Sequence, residues 1–309
     1  MFINEDFGYE FQYKNENKIF SKRNTKTTID KGKEKKEDLK NDLTKLDNLI
    51  GLDKIKVMVR EYIAFVKIQI LRESYGLKKL PIASHMIFKG NPGTGKTTVA
   101  RLIAEIFKSL GYLNKGQFIE AERADLVGEY IGHTAKKTKS LIKEAIGGVL
   151  FIDEAYSLAR GGEKDFGKES IDTLVKAMED YKDNLIIIMA GYKTEMENFL
   201  KTNPGLKSRF ALHLNFEDYS TDELFKIALL MIEEREYKLM ERNKKYLYNF
   251  ISILRNDKNN NGNARMIRNF IEKIIRTQAS RLIKKDNINK NDLLLIKNDD
   301  LINAFKQEI

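Results

Sequence analysis

The sequence predicts an α/β protein, a five-stranded parallel sheet between helices, followed by a small all-α domain. Three observations carry this. Five short apolar runs recur before residue 217, separated by stretches of helical period. The runs are nearly continuous rather than alternating, as strands buried on both faces of a parallel sheet must be. Glycine then all but stops: of 19 glycines, only Gly262 lies beyond residue 205, and so breaker-poor a stretch reads as helix.

Each element follows in order. Residues 1–42 lack a sustained apolar period and read as a poorly ordered arm. A Leu/Ile pattern begins at LTKLDNLIGL and runs through IKVMVREYIAFVKIQILRESYG, which predicts an amphipathic helix stopping near Gly76. Strands are predicted at HMIFKG (85–90), QFIEAE (117–122), GVLFIDE (148–154), LIIIMAG (185–191) and ALHLNF (211–216). Helices are predicted among them at 97–111, 134–148 and 168–180. The α/β domain thus spans 43–217 and the helical domain 218–309. In the latter, GNARMIRNFIEKIIRTQASRL reads as one helix introduced by its single glycine.

Composition narrows the function classes. A chain of 309 residues with 42% hydrophobic content can bury a real core. It has no apolar run of the roughly 18 residues a membrane span needs. MFINEDFGYEFQYKNENK lacks the apolar segment of a signal peptide. The absence of cysteine removes disulfides, zinc-thiolate sites and cysteine nucleophiles, and fits a reducing, cytoplasmic setting. Net charge is +10, but the 55 Lys and Arg are interspersed with 45 Asp and Glu. Even the densest basic stretch, DKGKEKKEDLK, alternates in sign, so a solvated face is expected rather than a nucleic-acid partner.

Chemistry concentrates in two motifs. GNPGTGKT, Gly90 to Thr97, matches G-x-x-x-x-G-K-[ST] between a predicted strand and a predicted helix. Asn91, Pro92, Gly93, Thr94 and Gly95 form the loop whose N–H groups turn toward phosphates, and Lys96, Thr97 and Thr98 open the helix. Lys96 is expected on the β- and γ-phosphates of ATP, and Thr97 on Mg²⁺. GGVLFIDEA ends an apolar run in Asp153-Glu154, placing two carboxylates at the sheet's C-terminal edge. Asp153 is expected in the Mg²⁺ shell and Glu154 as the group that polarises the attacking water.

A third stretch, LVGEYIGHT, sets Tyr130 and Ile131 between Gly128 and Gly132, with His133 behind. Two large apolar side chains on a glycine-bracketed loop are either packed on their own domain or offered to another molecule. His133 reads as a loop or cap neighbour, since His85 and His213 lie on predicted strands. ARGGEKDFGKES (159–170) reads equally as a second such loop or a plain surface turn.

Taken together, LIGLDKIK, GNPGTGKTTVAR, LVGEYIGHTAKKT, VLFIDEAYSL, NPGLKSRF and GNARMIRN make residues 43–285 resemble the AAA+ superfamily, and within it the CbxX/CfxQ branch. The resemblance implies a P-loop NTPase fold with a helical lid, ATP hydrolysis with Mg²⁺, and a nucleotide-promoted ring, a hexamer, acting on a protein client. It implies that Arg209 is an arginine finger entering a neighbour's site, where its planar, always-charged donors suit shifting phosphate charge. Arg265 matches the lid arginine that reaches the γ-phosphate, with Arg268 as the alternative. Ile50 and Gly51 match the adenine pocket, and Tyr130, Ile131 and Gly132 match the pore loop that grips the client. The polar residue usual at the end of the fourth strand is missing from IIIMAGYKTEM; Tyr192 is the nearest candidate.

Overall fold

The computed structural model describes residues 25–307, except 79, 81, 83, 131, 161–165 and 258–261. Two helices come first, α1 (Thr25–Asn48) and α2 (Asp53–Ser74). The α/β domain follows as β1 (His85–Gly90), α3 (Lys96–Ser109), β2 (Phe118–Ala121), α4 (Arg123–Leu126), α5 (His133–Ala145) and β3 (Val149–Ile152). A 3₁₀ turn (Ala155–Ala159) leads to α6 (Gly167–Asp180), β4 (Ile186–Gly191), α7 (Lys193–Thr202), α8 (Pro204–Lys207) and β5 (Phe210–Phe216). The lid comprises α9 (Thr221–Glu234), β6 (Lys238–Leu239), α10 (Glu241–Asn256), α11 (Ala264–Leu282), α12 (Lys290–Leu294), β7 (Leu295–Ile296) and α13 (Asn298–Lys306).

The sheet is parallel, in the order β2-β3-β4-β1-β5. Side chains alternate between its two faces with the period of a strand. Phe88, Phe151, Ile186 and Ile188 join one core, beneath α1, α2 and α3. Ile87, Leu150, Ile152, Ile187 and Met189 join the other, beneath α5, α6 and α7. The lid has its own core around Ile251, Ile267, Phe270 and Leu301, and Leu52 packs against both it and the first core. At the N-terminal edge of the sheet His85 is buried: its Nδ1 accepts from Ile187 N at 3.0 Å, and its Nε2 lies 3.1 Å from the Met178 carbonyl. Burial, opposed by the Met178 bond and aided by Arg209, pushes its pKa down to about 4.

Two expectations are corrected. The apolar pattern from residue 43 to 76 is two helices, because Gly51 (φ 63°) and Leu52 (φ 61°) turn the chain between them. That turn presses on the lid: a Cβ on Gly51 would stand 2.1 Å from Glu223 Oε1. Within the expected arm, residues 25–42 are helical; Asp42 and Lys45 bind Ser109 and Glu105 of α3 at 2.7 Å each, while residues 1–24 lie outside the described residues. The lid is helical as expected, with two-residue β6 and β7 adding a short parallel pair.

Candidate active site

β1 carries Gly90 to the C-terminal edge of the sheet, and the chain turns through Asn91–Gly95 into α3. The turn needs glycine, because Gly93 and Gly95 have φ of 72° and 93°, which residues with side chains rarely adopt. No side chain caps α3, so its first N–H groups and the positive end of its dipole are left to an anion. Lys96 Nζ donates to the carbonyls of Gly90 and Asn91, both at 2.8 Å. Burial pulls its pKa below the ordinary lysine value, opposed by Asp153 and reinforced by Arg265.

β4 lies between β1 and β3, so the ends of all three strands meet at one edge. There they border a cleft of about 690 Å³, whose lining includes Lys96, Thr97, Asp153, Glu154, Tyr192 and Arg265. Gly93, Gly95, Pro92, Thr98 and Arg268 line it as well. Glu154 holds left-handed angles (φ 45°, ψ 41°) and its N–H donates to Asp153 Oδ1 at 2.9 Å. Such backbone strain clusters at functional sites. Among the described residues no group of three or more His, Cys, Asp or Glu could hold a metal. One hydroxyl (Thr97) and one carboxylate (Asp153) in a cleft suited to phosphates fit Mg²⁺, which keeps waters and takes phosphate oxygens as ligands.

The lid closes over this loop at close range. Ala264 N donates to Gly93 O at 3.1 Å, and a Cβ on Gly93 would stand 2.3 Å from Gly262 O and 2.8 Å from Arg265 N. Asn91 Nδ2 reaches both oxygens of Asp218 at 3.0 Å, and Asn263 Nδ2 reaches Asp218 Oδ1 at 2.8 Å. Tyr219, 6% exposed, sends its hydroxyl to Thr94 O at 3.3 Å. Thr94 itself is buried. Asp218, Tyr219 and Asn263 were not singled out by sequence reasoning. Only Asn263 carried a signal, as the second residue of the GNAR phrase. Ile50 packs on the lid core beside this seam, and neither it nor Gly51 lines the cleft.

Arg209 and the Tyr130 segment stand elsewhere. Arg209 precedes β5, which runs parallel to β1, so it lies at the opposite end of the sheet from the cleft. Its guanidinium binds Gly205 O at 2.8 Å and Glu179 at 3.0 Å. Tyr130 is 65% exposed and touches His133 edge-to-face, with ring centroids 5.5 Å apart. Gly132 (φ 79°) stands at the start of α5 and meets nothing within 4 Å of an added Cβ; Ile131 lies outside the described residues. Tyr130 borders a hollow of about 970 Å³ whose lining also includes Glu154 and Arg123, so Glu154 faces both spaces. Arg123 donates to Ser157 O at 2.6 Å, which joins the base of the Tyr130 segment to the turn after Glu154. Residues 161–165 of the other glycine-rich segment lie outside the described residues.

Known proteins agree with this architecture. Residues 86–218 match the ATPase family associated with various cellular activities (AAA), and residues 220–309 match the AAA lid domain. Stage V sporulation protein K of Bacillus subtilis is 53% identical over 262 residues, 84% of this chain and 81% of that protein. A CfxQ homolog of Galdieria sulphuraria is 43% identical over 299 residues, 96% of each. Among solved structures, a Thermotoga maritima RuvB mutant superposes with a TM-score of 0.57 at 20% identity, covering 85% of this chain and 72% of that one. That last likeness speaks to the fold alone. A phosphate loop, a paired-acid strand end, a lid seated on the loop and two such sequence relatives lead to one conclusion: the chain belongs to the AAA ATPase family, in its CbxX/CfxQ branch.

Proposed function

We propose that this ATPase assembles into a nucleotide-promoted ring, a hexamer, and uses hydrolysis to remodel a protein client through a central pore lined by Tyr130, Ile131 and Gly132. The observation that carries the reading is Tyr130, 65% exposed on a loop bordering the same hollow as Glu154. A tyrosine grips through large area at small entropic cost and needs no sequence-specific partner. Arg209 supports the ring: it lies away from its own cleft, so a finger role requires a neighbour's site. Similarity to stage V sporulation protein K suggests sporulation as the process.

At the cleft, Lys96 and the first turn of α3 hold the ATP phosphates, and Glu154 orients and polarises the attacking water. Arg265 stabilises the charge that moves onto the γ-phosphate oxygens, with Arg209 of a neighbouring copy opposite. Thr97 and Asp153 would hold Mg²⁺, which supplies charge neutralisation at the phosphates.

The test uses Glu154→Gln, which binds ATP without turning it over and so retains the client, captured from cell extract with Mg-ATP. A protein held only with ATP, and lost in the Glu154→Gln/Tyr130→Ala double variant, supports the reading and identifies the client. The same set of proteins with and without Tyr130 sinks the pore role. Recovery of nucleic acid in place of protein, in a manner that falls steeply with salt, would turn the reading toward a nucleic-acid motor.

A further inference from the structure

Asn263 is an anomaly that hydrolysis as described does not use. It bears a side chain at φ 46° and ψ −129°, in the half of backbone space that favours glycine, although Gly262 stands next to it. It is 6% exposed, and its amide is fully engaged. Oδ1 accepts from Tyr219 N at 2.9 Å, and Nδ2 donates to Asp218 Oδ1 at 2.8 Å and reaches Pro92 O at 3.4 Å. Asp218 in turn accepts both 3.0 Å bonds from Asn91. One buried amide thus ties together the phosphate loop, the segment between β5 and α9, and the start of α11.

We propose that Asn263 and Asp218 are positioning residues for ATP hydrolysis: they fasten the lid's GNAR turn to the phosphate loop and so fix Arg265 over the cleft. Arg265 lies two residues beyond Asn263, in the first turn of α11, and its N–H donates to Gly262 O at 2.9 Å. Its side chain lines the cleft. Two ties thus hold the turn on the loop: the backbone bond from Ala264 N to Gly93 O at 3.1 Å, and the side-chain relay from Asn263 through Asp218 to Asn91, with bonds of 2.8 and 3.0 Å. With the amide removed, α11 is free to shift on the loop. Displacement of a charge-stabilising group by about 1 Å costs up to about 10²-fold in rate. The strained φ is kept because glycine there would supply the backbone shape without the tie. The inference rests on the reading of Arg265 as the charge-stabilising residue of the cleft; an Arg265→Ala variant with wild-type turnover would remove that reading, whereas an unaffected Asn263→Gly beside an impaired Arg265→Ala would remove the inference alone.

The experiment measures ATP turnover and thermal melting on the full chain. Asn263→Gly keeps the backbone conformation and deletes the amide; kcat is expected to fall about tenfold, with the folded state intact. Arg265→Ala is expected to fall at least as far, and Asn263→Gly/Arg265→Ala no further than Arg265→Ala alone, because both lesions remove the same stabilisation. A purely architectural Asn263 would give multiplied losses. A second arm exchanges the pair. Asn263→Asp sets two carboxylates against each other, and Asn263→Asp/Asp218→Asn restores a donor to an acceptor while leaving a carbonyl for Asn91. The exchanged variant is expected to recover most of the turnover lost in Asn263→Asp. Wild-type kcat in Asn263→Gly, multiplied losses with Arg265→Ala, or an exchanged variant no better than Asn263→Asp would each overturn the proposal.

Discussion

The phosphate loop and the Tyr130 loop are built alike and set in opposite surroundings. Each leaves the C-terminal edge of the sheet region and bends through a left-handed glycine, Gly95 or Gly132, that stands before a helix without a side-chain cap. Their surroundings differ. A Cβ on Gly95 would meet Tyr219 Oη at 3.1 Å and Leu52 at 3.4 Å, whereas one on Gly132 would meet nothing within 4 Å. The first loop is walled in by the lid, which packs against its backbone. The second is left open, and its aromatic residue faces outward. The same local device therefore gives a walled-in loop or an open one, depending on what packs behind it.

Four measurements would break or sharpen this contrast. In the cradle, Glu154→Gln should lower kcat by about 10²–10⁴-fold with ATP still bound, checked by phosphate release and equilibrium binding. An equal loss of binding would mean that the cleft is less preorganised than argued. The tyrosines should separate next: Tyr219→Ala, at a buried position, should cost about 3 kcal/mol in denaturant melts. Tyr130→Ala, largely exposed, should stay within about 0.5 kcal/mol.

Acid should act on the buried interior of the α/β domain, where His85 sits. Between the ordinary histidine value of 6.5 and about 4, the unfolded chain takes up a proton that folded His85 refuses. Stability therefore falls as pH is lowered through that window, by about 3 kcal/mol at its foot. His85→Gln should flatten this dependence, measured as melting temperature against pH. Last, Gly93→Ala should destabilise by about 2 kcal/mol, since its Cβ has no room beneath the lid. Gly132→Ala should cost only the left-handed backbone penalty of about 1 kcal/mol.

Much of the fold was legible because its signals are local. β1 begins and ends where the apolar run HMIFKG does, and the other strands differ from their runs by one or two residues. Both nucleotide motifs met in one cleft because each sits directly at a strand end. What stayed hidden depends on contacts distant in sequence. The break at Gly51-Leu52 is masked by an unbroken Leu/Ile pattern, and the group packed against it, Glu223, lies far along the chain. Asp218 reads as one more surface acid until Asn91 and Asn263 converge on it. Short α4 and α8, like two-residue β6 and β7, carry too few residues to show a period.

Lys96 has a consequence for experimental design. Replacing the phosphate-loop lysine is the usual way to switch off a nucleotide site, on the assumption that only the ligand notices. Here the ammonium already spans the carbonyls of Gly90 and Asn91, and Asn91 is the residue that grips Asp218. Lys96→Ala would withdraw a strut from the loop itself and disturb the seat of the lid. For a silent control that leaves the loop's own bonds in place, Glu154→Gln is the better choice.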